Sequence, residues 1–258
     1  MQQAAFFDLD KTVIAKSSTL AFGKPFYKAG FLGRRTLMKL GMAQLFYVLF
    51  GADEDQLERA RDQLLRLTAG WHRAEIEQLV EETLDEVADP LVYAEALFLI
   101  DEHKRNGRRV ILVSASPEQI VRPIGRHVGV TEIIATRIKT DSAGFFQPEL
   151  ERYAMGDGKA DAIRELAELE GLDLEGSYAY SDSATDLPMM EVVGNPVAIN
   201  PEKELRRIAE ERDWPVLEFQ RPVSLESNFG RRVPLISGAT VGAALLGAAV
   251  TVLLRRRP

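Results

Sequence analysis

The chain has 258 residues, 46% of them hydrophobic and 28% charged, with a formal net charge of −7. That length buries a sizeable core in one or two domains, and the acidic balance argues against nucleic-acid binding through a basic face. There is no cysteine, and the three histidines (His72, His103, His127) are scattered, which excludes disulfides, thiolate metal sites and cysteine nucleophiles and argues against a His-rich zinc site.

In chain order, Gln3 to Leu9 reads as a buried strand, with no secretory signal pattern before it. It runs into Phe7-Asp8-Leu9-Asp10-Lys11-Thr12. Side chains alternate along a strand, so Asp8 and Asp10 are expected on one side. Two carboxylates so close repel unless a cation or proton intervenes. Alone, the pair is equally a plain turn or a metal site.

Residues 15–90 read as helix throughout. Ile76, Leu79, Val80, Leu84 and Val87 form one apolar stripe. Leu57, Ala60, Leu64 and Leu67 form another, opened by Asp53 as N-cap. This predicts a helical cap over 15–90, inserted between core segments 1–14 and 91–222. Within it, Leu37 to Phe50 is apolar except for Lys39 and Gln44 and is too short to span a bilayer. Three readings stay open: a central core helix, a lining for an apolar substrate, or contact with a membrane surface.

Arg109 to Val113 is a second strand, followed by Ser114-Ala115-Ser116-Pro117 at a helix start. Free N–H groups there suit an anion, so Ser114 is placed to hold a phosphate oxygen. The plain alternative makes Ser114 or Ser116 an N-cap. Ile138 to Gln147 predicts a hairpin turning at Asp141 to Gly144. Gly156-Asp157-Gly158-Lys159 opens a helix reaching Glu170. A lysine there is ordinarily a surface charge and acquires a function only with a partner anion. Tyr178 to Ser181 is a third strand, ending in Asp182 and Asp186. One of these could be a simple N-cap; together they would complete an oxygen-rich site suited to Mg²⁺. Pro196 to Ile199 and Val216 to Phe219 are further short strands, with a helix over Pro201 to Arg212. The alternation predicts an α/β class with a Rossmann-like, mostly parallel sheet and a ligand crevice beyond the strands' carboxyl ends.

After a linker over 223–232, Val233 to Leu254 gives 22 residues without a charge, bracketed by Arg231 and Arg232 before and Arg255, Arg256 and Arg257 after. The last 28 residues hold five of the basic side chains and no acid, leaving 27 basic against 39 acidic in the rest. At about 1.5 Å per residue, a helix over 233–254 spans a ~30 Å hydrocarbon core. A C-terminal transmembrane helix is expected, anchoring a catalytic part in the cytoplasm. Gly238 and Gly242 form a GxxxG pair on it.

Taken together, DLDKT (8–12), Ser114, Lys159 and SDSATDLPMM (181–190), in this order on strand–helix junctions, resemble the haloacid dehalogenase superfamily of phosphohydrolases. The insertion after the first strand resembles the subfamily related to phosphoserine phosphatase. The resemblance covers residues 4 to 219. It implies an Mg²⁺-dependent phosphatase in which Asp8 is the nucleophile and Asp10 the acid/base. Ser114, Ala115 and Lys159 would hold the phosphate, and Asp8, Asp10 (through its carbonyl) and Asp182 would ligate the metal. Thr12, Thr185 and Asp186 would support. Departures are Ser181, Ser183 and Thr185 where glycines and an asparagine are usual, and Ala115 where glycine is common. No acid stands in Val13 to Ser18 to greet a substrate's amino group, which speaks against phosphoserine. With the tail and the apolar cap segment, the expected substrate is a phosphomonoester on a lipid or lipid precursor. The alternatives are phosphoserine or another phosphorylated small metabolite, a dehalogenase, a transferase to an acceptor other than water, and a membrane-tethered non-catalytic regulator on the same fold.

Overall fold

The computed structural model describes residues 1–36, 38, 54–220 and 222. The segment 39–53, with Asp53 and most of the apolar stretch 37–50, lies outside the described residues, as does the predicted membrane helix over 233–254. Side chains of Leu57 and Ala60 are likewise outside. No helix among the described residues is long and apolar enough to cross a membrane. Met1–Val223 forms one compact unit.

Its centre is a seven-stranded sheet: β1 (Ala4–Asp8), β2 (Arg109–Pro117), β3 (Glu132–Thr140), β4 (Phe146–Arg152), β5 (Tyr178–Ser181), β6 (Asn195–Ile199) and β7 (Val216–Leu217). The spatial order is β4-β3-β2-β1-β5-β6-β7, parallel except for β4. Strand order reverses at β1, which lies between β2 and β5, and ligands of such sheets bind beyond the strand ends at that point. The predicted strands 3–9, 109–113, 178–181, 196–199 and 216–219 all correspond to strands, with small shifts in their ends. The hairpin also forms. Asp141 caps its turn, its Oδ1 accepting from the N–H of Ala143 and of Phe145, both at 2.9 Å. The strands extend further than expected, since β3 begins at Glu132.

Nine described helices follow our numbering in chain order. In the insertion these are α1 (Ser18–Ala21), α2 (Gly23–Lys28), α3 (Glu54–Thr68) and α4 (Arg73–Val87). In the core they are α5 (Ala94–Arg105), α6 (Glu118–His127), α7 (Asp157–Glu170), α8 (Leu187–Glu191) and α9 (Lys203–Glu211). β1 is buried along its whole length. Its Ala4 and Phe6 pack in one layer with Ala162 and Ile163 of α7 and Met189 of α8. Phe7 points the other way and stacks on Tyr180 at 4.3 Å, edge-on to His103 of α5. Covering both faces is what lets β1 be apolar without alternation.

The insertion leaves and re-enters the core through two segments bonded to each other: Ala15 N–H donates to Leu91 O (2.8 Å) and Tyr93 N–H to Val13 O (3.0 Å). Ile76, Val80 and Leu84 bury the predicted stripe of α4. On α3 the register differs. Leu64 is exposed and Leu65 is buried, the one buried residue among the described side chains of α3; the helix is held against the hairpin through Gly70 N–H on Phe146 O and Phe146 N–H on Trp71 O, both 2.9 Å.

Candidate active site

The site assembles where β1, β2 and β5 end. Asp8 is the last residue of β1, in register with Val113 of β2. It shares the face of Ala4 and Phe6, the side covered by α7. That side is where Lys159 arrives.

Two glycines seat Lys159. Gly156 has φ +54° and ψ −124° at the N-cap of α7, a conformation for which glycine is the suited residue. A Cβ on Gly158 would lie 2.1 Å from the carbonyl oxygen of Tyr153. The helix therefore starts tight against the end of β4, and its third residue, Lys159, turns inward. Lys159 is only 2% exposed. Its Nζ donates to Asp8 Oδ1 at 2.6 Å and to Asp186 Oδ2 at 2.8 Å. Ser181 Oγ also donates to Asp186 Oδ2, at 2.7 Å. The partner anion that a functional lysine needs is thus present twice. Burial disfavours the ammonium, but Asp186 and Asp8 outweigh it and hold its pKa above the ordinary lysine value.

Burial likewise pushes the Asp8 carboxyl well up, against the attraction of Lys159, with Asp186, Asp182 and Asp10 adding to the rise. Four carboxylates face two ammoniums, the buried Lys159 and the half-exposed Lys11, which leaves the site short of positive charge. Asp182 is 6% exposed, and burial pushes it up to about 7 even though Lys11 Nζ stands 3.8 Å from its Oδ2. A dication here would reverse these penalties. Among the described residues no three His, Cys, Asp or Glu side chains form a metal cage. The donors that the family resemblance implies are the carboxylates of Asp8 and Asp182 with the Asp10 carbonyl. Such a sparse oxygen set suits Mg²⁺, which keeps several waters.

Asp10 reaches the site by a route different from the one expected. The strand ends at Asp8, so alternation does not place it. A turn does: Val13 and Ile14 N–H both bond Leu9 O at 3.0 Å, and Lys11 adopts φ +61°. Asp10 Oδ1 accepts from Ser18 N–H at 2.8 Å and Oδ2 from Ser116 Oγ at 3.3 Å. Burial raises its pKa, partly offset by these bonds from Ser18 and Ser116.

Ser114 is 1% exposed, and its Oγ accepts from Ser116 N–H at 3.1 Å, leaving its own proton to donate. Ala115 follows it, partly exposed beside the site. Thr12 is fully buried, and its hydroxyl has no hydrogen-bond partner among the described residues. Any support it gives the first loop is by packing. Thr185 is exposed with its hydroxyl on Ser183 Oγ at 3.1 Å, so it braces its own turn and makes no hydrogen bond to Lys159 among the described residues. One residue had no signal in the sequence. Glu202, from the loop after β6, accepts from Ala184 N–H at 2.8 Å and Ser183 Oγ at 3.1 Å, and its N–H holds Asp182 O at 2.8 Å. It fixes the 182–186 loop from 20 residues away, and only the fold brings it there.

Residues 5–191 match the haloacid dehalogenase-like hydrolase family. The chain is 51% identical over 261 residues to a probable phosphatase of Mycobacterium tuberculosis, covering 98% of this chain and 89% of that one. It is 49% identical over 259 residues to the "inhibition of morphological differentiation protein" of Streptomyces azureus, covering 98% and 94%. Among solved structures, a protein of unknown function from Bordetella pertussis aligns with a TM-score of 0.74 at 28% identity, covering 84% of this chain and 98% of that one. The chain belongs to the haloacid dehalogenase-like hydrolases, and it is a phosphatase.

Proposed function

We propose that the protein hydrolyses phosphomonoesters through an aspartyl-phosphate on Asp8, with Mg²⁺ bound by Asp8, Asp182 and the Asp10 carbonyl. The observation that carries this reading is the buried Lys159 bridging Asp8 and Asp186. A lysine so placed has no solvating role and is suited to hold a phosphoryl oxygen beside the nucleophile.

Lys159 takes Asp8 Oδ1, which leaves Oδ2 to attack phosphorus. As that P–O bond forms, the bond to the leaving oxygen breaks, and Asp10 passes its proton to that oxygen. Asp10 then takes a proton from water as the water attacks the phospho-aspartate, releasing inorganic phosphate and regenerating Asp8. Ser114 donates to a phosphoryl oxygen throughout, and Asp186 keeps Lys159 charged and in place. Bound Mg²⁺ supplies charge neutralisation for the phosphoryl group.

The proposed substrate is a phosphomonoester on a lipid or lipid precursor, with the protein held at a membrane by residues 233–254 and its catalytic part in the cytoplasm. Two features of the chain support this: the 22 uncharged residues between arginines, and the hydroxyls of Ser18 and Thr19, rather than a carboxylate, brought next to Asp10 and Ser116. The second sits poorly with an amino-bearing substrate such as phosphoserine. The test is turnover of phosphatidate, lysophosphatidate and phosphoserine by the purified full chain in detergent, with Mg²⁺ and after chelation. The lipid reading predicts higher kcat/KM on a lipid phosphate; faster turnover of phosphoserine contradicts it. Activity unchanged by chelation contradicts the metal assignment.

A further inference from the structure

Ser116 takes part in no step above, yet its hydroxyl is the hub of a buried cluster. It is 7% exposed. Its Oγ lies 2.8 Å from Ser18 Oγ and 3.1 Å from Thr19 Oγ1, and it donates to Asp10 Oδ2 at 3.3 Å. It does not cap α6: Pro117 holds the N-cap position, and no side chain caps that helix. The plain reading of this serine therefore fails.

A hydroxyl has one proton and two lone pairs. With the Ser116 proton directed at Asp10, Ser18 and Thr19 donate to Ser116. The hydrogens then run one way, from α1 at the root of the insertion, through Ser116, to Asp10. The other Asp10 oxygen is held by the backbone N–H of Ser18. The carboxyl plane is thus fixed from two elements, one oxygen by α1 and the other by the end of β2.

We infer that Ser116 is a positioning residue that sets the rotation of the Asp10 carboxyl towards the leaving group. This rests on the reading of Asp10 as acid/base. Proton donation matters most when the leaving oxygen is a poor one. Misaligning Asp10 therefore penalises a poor leaving group more than a good one, and leaves substrate binding alone.

The experiment compares phenyl phosphate with p-nitrophenyl phosphate on the full chain with Mg²⁺. In Ser116→Ala, kcat for phenyl phosphate falls about tenfold or more, that for p-nitrophenyl phosphate by less than about threefold, and both KM values stay within about twofold. Ser116→Thr restores the wild-type ratio. Ser18→Ala, which removes a donor to Ser116, shifts the ratio the same way by less. Equal losses on both substrates, or a change in KM alone, overturn the inference. Asp10→Asn separates the two levels. If it shifts the ratio and Ser116→Ala does not, only the positioning role falls. If Asp10→Asn leaves the ratio at the wild-type value, the acid/base reading itself falls.

Discussion

His103 shows how one buried side chain ties the site's foundations to pH. It is 4% exposed and lies against Phe7 and Tyr180, next to the strand ends that carry Asp8 and Asp182. Arg108 can only donate, so Nδ1 accepts from it at 3.3 Å, and Nε2 carries the proton given to Tyr180 Oη at 2.7 Å. The ring is therefore neutral when folded. Burial, with Arg108 adding to it, lowers its pKa from 6.5 to about 4. The unfolded chain protonates this group below 6.5 and the folded one does not. The stability it lends is complete above pH 6.5 and is lost as the pH falls towards about 4. The full loss is about 3 kcal/mol. Urea unfolding of wild type and His103→Gln across that window checks this: the wild type loses more stability on acidification than the variant. Parallel pH profiles would remove His103 from the account.

At the scale of elements, α7 matters through its first turn. Gly158→Ala puts a Cβ against the Tyr153 carbonyl, displaces the helix start and pulls Lys159 from Asp8. Gly171, the left-handed C-cap at φ +67° of the same helix, has open space around it. Gly171→Ala should cost about 1 kcal/mol with kcat/KM unchanged, whereas Gly158→Ala should cost on the order of 100-fold in kcat/KM. Melting and p-nitrophenyl phosphate turnover on both proteins separate the two effects. Much of this level was legible in the sequence. The buried strands announce themselves as apolar runs, and Asp8, Lys159, Asp182 and Asp186 are found at strand or helix ends, whereas Ser114 lies inside β2, which runs on to Pro117. What was not legible depends on tertiary contact. The Leu9–Ile14 turn, rather than strand alternation, delivers Asp10. Ser116 meets Ser18 across 98 residues. Glu202 braces a loop it does not adjoin in sequence. Hydroxyl and carboxylate pairings of that kind leave no periodicity to read.

For the molecule as a whole, the charge distribution divides the chain into an acidic body and a basic, acid-free end. The last described residues stay attached to the body: Phe219 N–H bonds Asn200 Oδ1 at 2.8 Å, its carbonyl accepts from Asn200 Nδ2 at 3.2 Å, and its ring meets Tyr93 edge-on. A chain ending at Pro222 keeps these contacts. It is expected to melt within a few degrees of the full chain and to hydrolyse p-nitrophenyl phosphate with kcat/KM within about twofold. Fractionation after expression should find the full chain with membranes and the shortened one in the supernatant. A full chain in the supernatant would contradict the anchor, and lost soluble-substrate turnover in a folded truncation would contradict the independence of the site.

The central claim is covalent, and it is tested most directly by trapping. The full chain is quenched during turnover of p-nitrophenyl phosphate with Mg²⁺, reduced with borohydride and analysed by peptide mass spectrometry. An aspartyl-phosphate reduces to homoserine, which the account predicts at position 8 and at no other aspartate, and absent from Asp8→Asn. Homoserine at another position, or an Asp8→Asn protein that still turns over substrate at the wild-type rate, would contradict it.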